Sequence, residues 1–244
     1  MARIAWGITG AGHLLKKTFE VMGELAKGHE ITCFVSSAAE KVIRMYRLRK
    51  ELSDVCLGDY HRELVLETSD GADSPLIGRL LRSAYDVLVV SPASANSVAK
   101  VICGISDTLV TNVIAQAEKG GVPIIILPTD QKPGETKTEL PYFIDRAKCK
   151  KCGNCLVVEV CSHGAIVLSS GFPRIDLSRC DGCGVCLERC PLSAISFGKE
   201  IVVRTREIDL ENVGKLRKNP NFIVISNPSE IPGVLGGVLD GQRR

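Results

Sequence analysis

Cys149-Lys150-Lys151-Cys152-Gly153-Asn154-Cys155 and Cys180-Asp181-Gly182-Cys183-Gly184-Val185-Cys186 are two copies of one pattern, three cysteines at two-residue spacing. The first copy is followed by Cys161 and the second by Cys190-Pro191, so eight of the chain's eleven cysteines fall in one short stretch. Three thiolates at this spacing wrap one iron–sulfur cube, and the fourth ligand of each cube comes from the other copy. The expected sets are Cys149, Cys152, Cys155 and Cys190 for one [4Fe–4S] cluster, and Cys161, Cys180, Cys183 and Cys186 for the other. The pattern makes the chain an electron handler before anything else is read.

A structural zinc site prefers two separated C-x2-C pairs closing a tetrahedron, which this spacing fits badly. A disulfide framework belongs to secreted chains, and no secretion signal is visible. The copies differ at one place. Cys155 and Cys161 are separated by five residues where the tight spacing has three, and Ser162 stands where Pro191 stands in the second copy. The insertion is expected to bulge the loop around Val157–Val160, which leaves open whether the cluster using Cys161 is a full cube. After the fourth cysteine, Ala165-Ile166 mirrors Ala194-Ile195. Ile166–Leu168 and Arg174–Asp176 flank Ser-Ser-Gly-Phe-Pro, a short hairpin. The repeat unit is expected over 147–198 and has the form of a two-cluster ferredoxin, in which metal clusters replace the hydrophobic core that so short a segment cannot build.

The 244 residues suit one large domain or two modest ones. A net charge of only +3 gives no electrostatic case for nucleic acid. No apolar run has the length of a membrane span, and the N-terminus opens into a strand rather than a signal peptide. Thiolate-rich clusters need a reducing interior, so a cytoplasmic protein from an anaerobic setting is expected. Cys33, Cys56 and Cys103 lie outside the repeat and read as small apolar side chains.

Outside the repeat, strand-like and helical patterns alternate. Strands are expected at Arg3–Ile8, Glu30–Val35, Leu64–Leu66, Asp86–Ser91 and Val122–Pro128. Helices are expected at Leu14–Lys27, Ala38–Leu52, Leu76–Ala84, Ala95–Cys103 and Thr108–Lys119. This order predicts an α/β fold, a doubly wound parallel sheet with helices on both faces, whose ligands bind beyond the carboxyl ends of the strands. After the cysteines a helix at Asp209–Arg217 and a strand at Asn221–Ser226 resume the alternation. The cluster unit therefore reads as an α+β ferredoxin-like insert in a discontinuous larger domain, 1–146 plus 199–244.

Three strand ends carry small and hydroxyl residues. Gly7-Ile8-Thr9-Gly10-Ala11-Gly12 nears the dinucleotide fingerprint but has Leu15 where the third glycine belongs, which favours a mononucleotide over NAD. Val35-Ser36-Ser37-Ala38 opens a helix, where hydroxyls and free N–H groups hold a phosphate or simply cap the helix. Ser91-Pro92-Ala93-Ser94-Ala95-Asn96-Ser97 offers a close-approach surface for a flat ring.

Pro92-Ala93-Ser94-Ala95-Asn96-Ser97-Val98-Ala99-Lys100 followed by Gly104-Ile105-Ser106-Asp107-Thr108-Leu109 resembles the homo-oligomeric flavin-containing decarboxylase superfamily. The glycine loop, Ser36-Ser37, Arg204-x4-Asp209-x2-Asn212-Val213 and Asn227-Pro228-Ser229-Glu230 agree with it. The resemblance implies FMN bound between subunits of a trimer or a multiple of one. Its phosphate would lie near Thr9, Gly10, Ala11, Ser36 and Ser37, and its ring near Pro92, Ala93, Ser94, Asn96 and Ser97. The decarboxylases carry a His about eight residues before the Asp opening the fifth strand. Here Gly78 stands eight before Asp86 and no His lies between His61 and Asp86, which argues against decarboxylation. Ser74-Pro75-Leu76-Ile77, with Ser74 at the flavin, is similar to the reductase branch, the dihydromethanopterin reductases, and the ferredoxin insert resembles their archaeal form.

The resemblance implies that an external donor such as a reduced ferredoxin supplies electrons through the clusters to FMN, which reduces dihydromethanopterin to the tetrahydro carrier of one-carbon metabolism. A ferredoxin-linked electron-transfer flavoprotein with no small substrate is the alternative. Lys41, Arg44, Arg47, Arg49 and Lys50 form a basic run that reads as a solvated helix face, or as a grip on the anionic tail of the pterin. Lys148, Lys150 and Lys151 offset the charge of a thiolate cube or dock an acidic donor. His13 either bonds a phosphate or flavin or caps the surface. Neither the proton donor nor any catalytic residue is assigned.

Overall fold

Three runs, Ile4–Ile8, Ile31–Val35 and Val87–Val90, are too apolar to leave either strand face in water, and all are buried. The computed structural model describes residues 1–56, 58–150 and 152–241. Lys151 and the last three residues of the expected larger domain lie outside the described residues. In chain order the elements are β1 (Arg3–Ile8), α1 (Leu15–Ala26), β2 (Glu30–Val35), α2 (Ser37–Met45), α3 (Arg49–Val55), β3 (Leu64–Leu66) and α4 (Glu67–Asp70). A 3-10 segment (Pro75–Arg82) then leads into β4 (Val87–Ala93), α5 (Ala95–Ile102), α6 (Leu109–Gly120) and β5 (Ile124–Pro128). The cysteine region holds β6 (Glu135–Ile144), α7 (Leu156–Glu159), β7 (Ile166–Ser169), β8 (Phe172–Ile175), α8 (Val185–Arg189) and β9 (Ile195–Arg204). The chain ends in α9 (Glu207–Lys218), β10 (Phe222–Val224) and α10 (Ile231–Gly241). Among the described residues no helix is long and apolar enough to cross a membrane.

Six strands form one parallel sheet in the order β10-β5-β4-β1-β2-β3. Alternate strand residues point to opposite faces and divide the core in two. Ile4, Trp6, Ile8, Val87, Val89 and Ile125 pack under α1, α2, α3 and α10. Ala5, Phe34, Leu88, Val90, Ile124 and Ile126 pack under α5, α6, α9 and the 3-10 segment. Each such side chain taken fully out of water stabilises by about 1.5–3 kcal/mol. The doubly wound sheet is as the alternation of the sequence predicted. After the cysteine region the chain returns, and Phe222–Val224 adds the outer strand beside Ile124–Ile126.

Three local readings are corrected. The single helix expected over Ala38–Leu52 is two helices, α2 and α3, broken where Arg47 takes a left-handed φ of 63°. Arg47 N–H donates to Arg44 O at 3.1 Å and Leu48 N–H to Ile43 O at 3.0 Å. These are the paired bonds of a Schellman stop, with an arginine where glycine is usual. The helix expected at Leu76–Ala84 is the tighter 3-10 segment, started by Pro75. The loop around Val157–Val160, expected to bulge, is mostly a turn of helix, α7, with Val157 buried.

Strands β6 and β9 were not foreseen. They form a separate antiparallel ribbon, paired from Glu135↔Arg204 to Ile144↔Ile195. Thr136, Thr138 and Leu140 carried the period-two signal, but the charged residues between them hide it. The ribbon leads into and out of the cysteine region, and β9 runs across the expected junction at 198/199.

Thr18 in α1 and Ser91 in β4 share a buried hydroxyl–hydroxyl bond of 2.8 Å. The indole Nε1 of Trp6 donates to Ser91 O at 3.1 Å. Removing one hydroxyl leaves its partner buried and unpaired, at a cost of about 1–3 kcal/mol. Thr18→Val and Ser91→Ala are each expected to lower the unfolding free energy by that amount in denaturant titrations. The double variant is expected to lose less than the sum of the two.

Candidate functional site

In this sheet the chain winds from β1 through β2 to β3 on one side, and from β4 through β5 to β10 on the other. The direction of winding reverses between β1 and β4, and ligands of open α/β sheets bind in the crevice beyond such a reversal. One residue closes its floor. Thr9 Oγ1 donates to Pro92 O at 2.8 Å and accepts from Ser94 N–H at 2.8 Å, and Thr9 N–H also donates to Pro92 O at 3.3 Å. Ser94 caps α5, its Oγ accepting from Ser97 N–H at 3.3 Å and bonding Ser97 Oγ at 3.0 Å. Asn96 stands exposed on the first turn of that helix, beside the buried Pro92 and Ala93.

Next to it, Ser36 ends β2 and caps α2, accepting from Ala39 N–H at 3.1 Å. Gly10 runs against this helix: a Cβ there would lie 2.6 Å from Ala38 Cβ, so only glycine lets the loop close on α2. The loop Thr9–Ala11, Ser36-Ser37 and Pro92–Ser97 thus stand at three adjacent strand ends. Ser74 is buried at the head of the 3-10 segment. One group escaped sequence reading. Glu67 Oε2 accepts from Ser37 N–H and from Leu109 N–H, both at 3.3 Å, so a carboxylate joins the starts of α2 and α6. No motif marks it; its role comes from the packing of the two helices.

His13 lies between the glycine loop and the ribbon, in a cleft it shares with Lys16, Lys17, Tyr46, Lys137 and Glu139. Burial lowers the pKa of its imidazole from the ordinary histidine value, with nearby Asp130 opposing the shift and Lys17 adding to it.

The cysteines form two groups. Cys149, Cys152, Cys155 and Cys190 line one cavity, with Ile144, Val157 and Ile195 around them. Cys161, Cys180, Cys183 and Cys186 line a second, with Tyr142, Ile166 and Ile175. Burial first, then the neighbouring Cys180, Cys183 and Cys161, push the Cys186 thiol up to about 11. Cys180 and Cys186 thus resist becoming thiolates by themselves; a cationic iron core bound among the thiols removes that resistance, and the donor set fits such a group.

Backbone bonding repeats across the two halves. Ala165 N–H donates to Cys161 Sγ at 3.3 Å, as Ala194 N–H does to Cys190 Sγ at 3.4 Å. Cys149 N–H donates to Asp145 O at 3.0 Å, as Cys180 N–H does to Asp176 O at 3.1 Å. Ala147 N–H and Ser178 N–H close the same turn on Asp145 and Asp176 side chains, each at 2.9 Å. The repeat therefore reaches back to Ile144-Asp145 and Ile175-Asp176, a matching dipeptide that sequence reading missed.

The basic run is in part the solvated face expected, since Lys41, Arg47, Arg49 and Lys50 are all exposed. Its arginines also reach the cysteine region: Arg44 Nη2 donates to Ser178 O at 2.7 Å, Arg47 Nε to Gly182 O at 2.7 Å, and Arg49 pairs with Asp181 at 3.4 Å. These three side chains clasp the second cysteine loop.

The Flavoprotein family model matches residues 1–134, and a 4Fe-4S binding domain matches residues 173–196. The chain is 49% identical over 232 residues to dihydromethanopterin reductase (acceptor) of Methanocaldococcus jannaschii, covering 94% of each chain. It is 42% identical over 233 residues to the protein of the same name from Methanosarcina mazei, covering 94% of this chain and 97% of that one. Among solved structures, DmrB of Burkholderia xenovorans in complex with FMN, described as a cubic protein cage for redox transfer, superposes with a TM-score of 0.61. That match is 26% identical and covers 100% of this chain and 98% of that one. The strand-end crevice, the paired thiol cavities and these likenesses agree: the chain belongs to the Flavoprotein family and, within it, to the dihydromethanopterin reductases (acceptor).

Proposed function

We propose that this protein is an iron–sulfur flavoprotein reductase that takes electrons from an external ferredoxin-type donor and reduces dihydromethanopterin to tetrahydromethanopterin. The observation that carries the reading is the presence, on one chain, of two four-thiol cavities and a switch-point crevice lined by hydroxyls and helix starts. The two relatives of that name supply the substrate. In this reading 1–146 plus 199–244 carry the flavin and 147–198 the clusters, with the ribbon crossing both junctions. FMN supplies the exchange between single electrons and an electron pair, and each [4Fe–4S] cluster carries electrons singly.

The chain's own residues bind and orient. Thr9, Gly10, Ala11, Ser36 and Ser37 would hold the phosphate. Thr9 is buried and donates its hydroxyl proton to Pro92 O, so its side chain braces the loop, whereas Ser36 accepts from Ala39 N–H and keeps its own proton for a ligand. Pro92, Ala93, Ser94, Asn96 and Ser97 would border the ring, with Ser74 at the crevice's far side. The similarity to a protein cage supports a homo-oligomer, a trimer or a multiple of one, in which other subunits complete the crevice. Eight thiols committed to iron support a reducing, cytoplasmic location.

Two measurements test this. Anaerobic addition of dihydromethanopterin to the photoreduced protein is expected to reoxidise the flavin at a catalytic rate with formation of the tetrahydropterin; no acceleration would leave an electron carrier without a small substrate. For the crossed thiol sets, Cys149→Ala, Cys190→Ala and their double variant are all expected to lower iron from about eight to about four atoms per chain. Cys149→Ala combined with Cys161→Ala is expected to remove nearly all of it. An iron content that fell further in Cys149→Ala with Cys190→Ala than in either single variant would reject the crossing.

A further inference from the structure

The two thiol cavities are built by a repeat, yet their surroundings are not alike. Gly182 and Gly184, in the second cysteine loop, are pressed by the α2–α3 corner. A Cβ at Gly182 would lie 2.5 Å from Arg44 O, and one at Gly184 would fall 1.7 Å from Arg47 Nη2. At the matching position of the first loop, Gly153, an added Cβ would meet none of the described residues within 4 Å. The charges invert as well: Asp181 of the second loop corresponds to Lys150 of the first.

Arg47 is the centre of the contact. Its Nε donates to Gly182 O at 2.7 Å and to Tyr142 Oη at 2.8 Å, while Tyr142 Oη donates to Gly182 O at 2.7 Å. The guanidinium carbon lies 5.7 Å from the Tyr142 ring centre and 5.4 Å from that of Phe197. Arg47 holds these partners from a left-handed backbone conformation, which crowds the Cβ of any side-chain-bearing residue and which glycine adopts freely. An arginine retained in such a position is held by what its side chain does. The residue before it, Tyr46, donates its hydroxyl to Glu139 O and lies against Gly12 of the strand-end loop. Two consecutive residues therefore span from the second cysteine loop to the loop of the flavin crevice.

We infer that the two thiol sets are inequivalent, with Arg47 as the positioning residue that makes them so. Arg47 fixes the Cys161, Cys180, Cys183 and Cys186 set against the flavin body as the inner of the two, and it raises the reduction potential of the cluster bound there above that of the outer one. The inference rests on the two-cluster reading given above. Its physics is simple. Reduction adds one electron and one negative charge, with no bond made or broken, and a guanidinium donating into the cysteine loop favours the more negative state. Of the other charges at this loop, Asp181 is paired with Arg49 at 3.4 Å and faces His163 at 3.7 Å, while Arg44, donating to Ser178 O at 2.7 Å, adds a positive charge of the same sign as Arg47. Among the described residues the outer set has no such clasp, and Lys148 and Lys150 flank its first cysteine.

The test is an anaerobic dithionite titration of the intact protein, following both clusters by EPR. The wild type is expected to show two separate midpoints. Arg47→Gln is expected to lower the higher midpoint alone by about tenfold in the one-electron equilibrium, ~59 mV. Lys148→Gln with Lys150→Gln is expected to move the lower midpoint alone, which assigns the two signals. Should Arg47→Gln fail to retain iron, Arg47→Lys, which keeps the charge and loses the fork, is expected to give a smaller shift confined to the higher midpoint. Coincident wild-type midpoints, a shift in the lower midpoint or in both, no shift, or both sets of variants acting on one signal would overturn the inference. A wild type with fewer than two cluster signals would instead sink the two-cluster reading itself.

Discussion

A sheet apolar on both faces has no room for polar chemistry except where its strands stop. Val87–Val90 in β4 is buried along its whole length, and the neighbouring strands β1 and β2 are nearly so. Two helical layers seal them. The hydroxyls of Thr9, Ser36 and Ser94 accordingly stand in the loops leaving β1, β2 and β4. The core does more than stabilise: it fixes three loop starts at parallel-strand spacing, so that Thr9 reaches across to Pro92 and Ser94.

Most of this frame was legible from residues alone. Alternating apolar runs and helical periods gave the order of elements, and the small residues picked out at three strand ends stand side by side on one edge of the sheet. What was not legible depended on contacts distant in sequence. The charged residues of β6 masked its period-two pattern, and its pairing with β9 joins segments some sixty residues apart. Glu67 sits in no motif; two helix starts converge on it. The Arg44–Arg49 run looked like a water-facing helix because nothing local reveals the break at Arg47, nor that a cysteine loop more than a hundred residues on is seated there. Arginines at that spacing are commonplace, and only the fold says what they face.

The repeat shows how sequence symmetry and functional symmetry part. Its backbone is duplicated closely, down to the N–H donors to Cys161 and Cys190 and the turns closed by Asp145 and Asp176. The inserted residues after Cys155 are absorbed in α7, and Cys161 still lines one cavity with Cys180, Cys183 and Cys186. The differences sit on the outside: lysines on one loop, an Asp-Gly pair clasped by arginines on the other. Duplicated metal-binding cores with divergent exteriors let one half meet the rest of its own chain and leave the other half facing outward.

The ribbon also bears on how the sheet is completed. Ile144 and Ile195 are paired neighbours, so the fifty residues between them leave and return at one point. Closing a loop of that length costs little more than closing one half as long. With the ribbon zipped, the cysteine region adds little to the entropy of bringing Phe222–Val224 beside Ile124–Ile126, and the outer strand joins the sheet as though the chain had been spliced short.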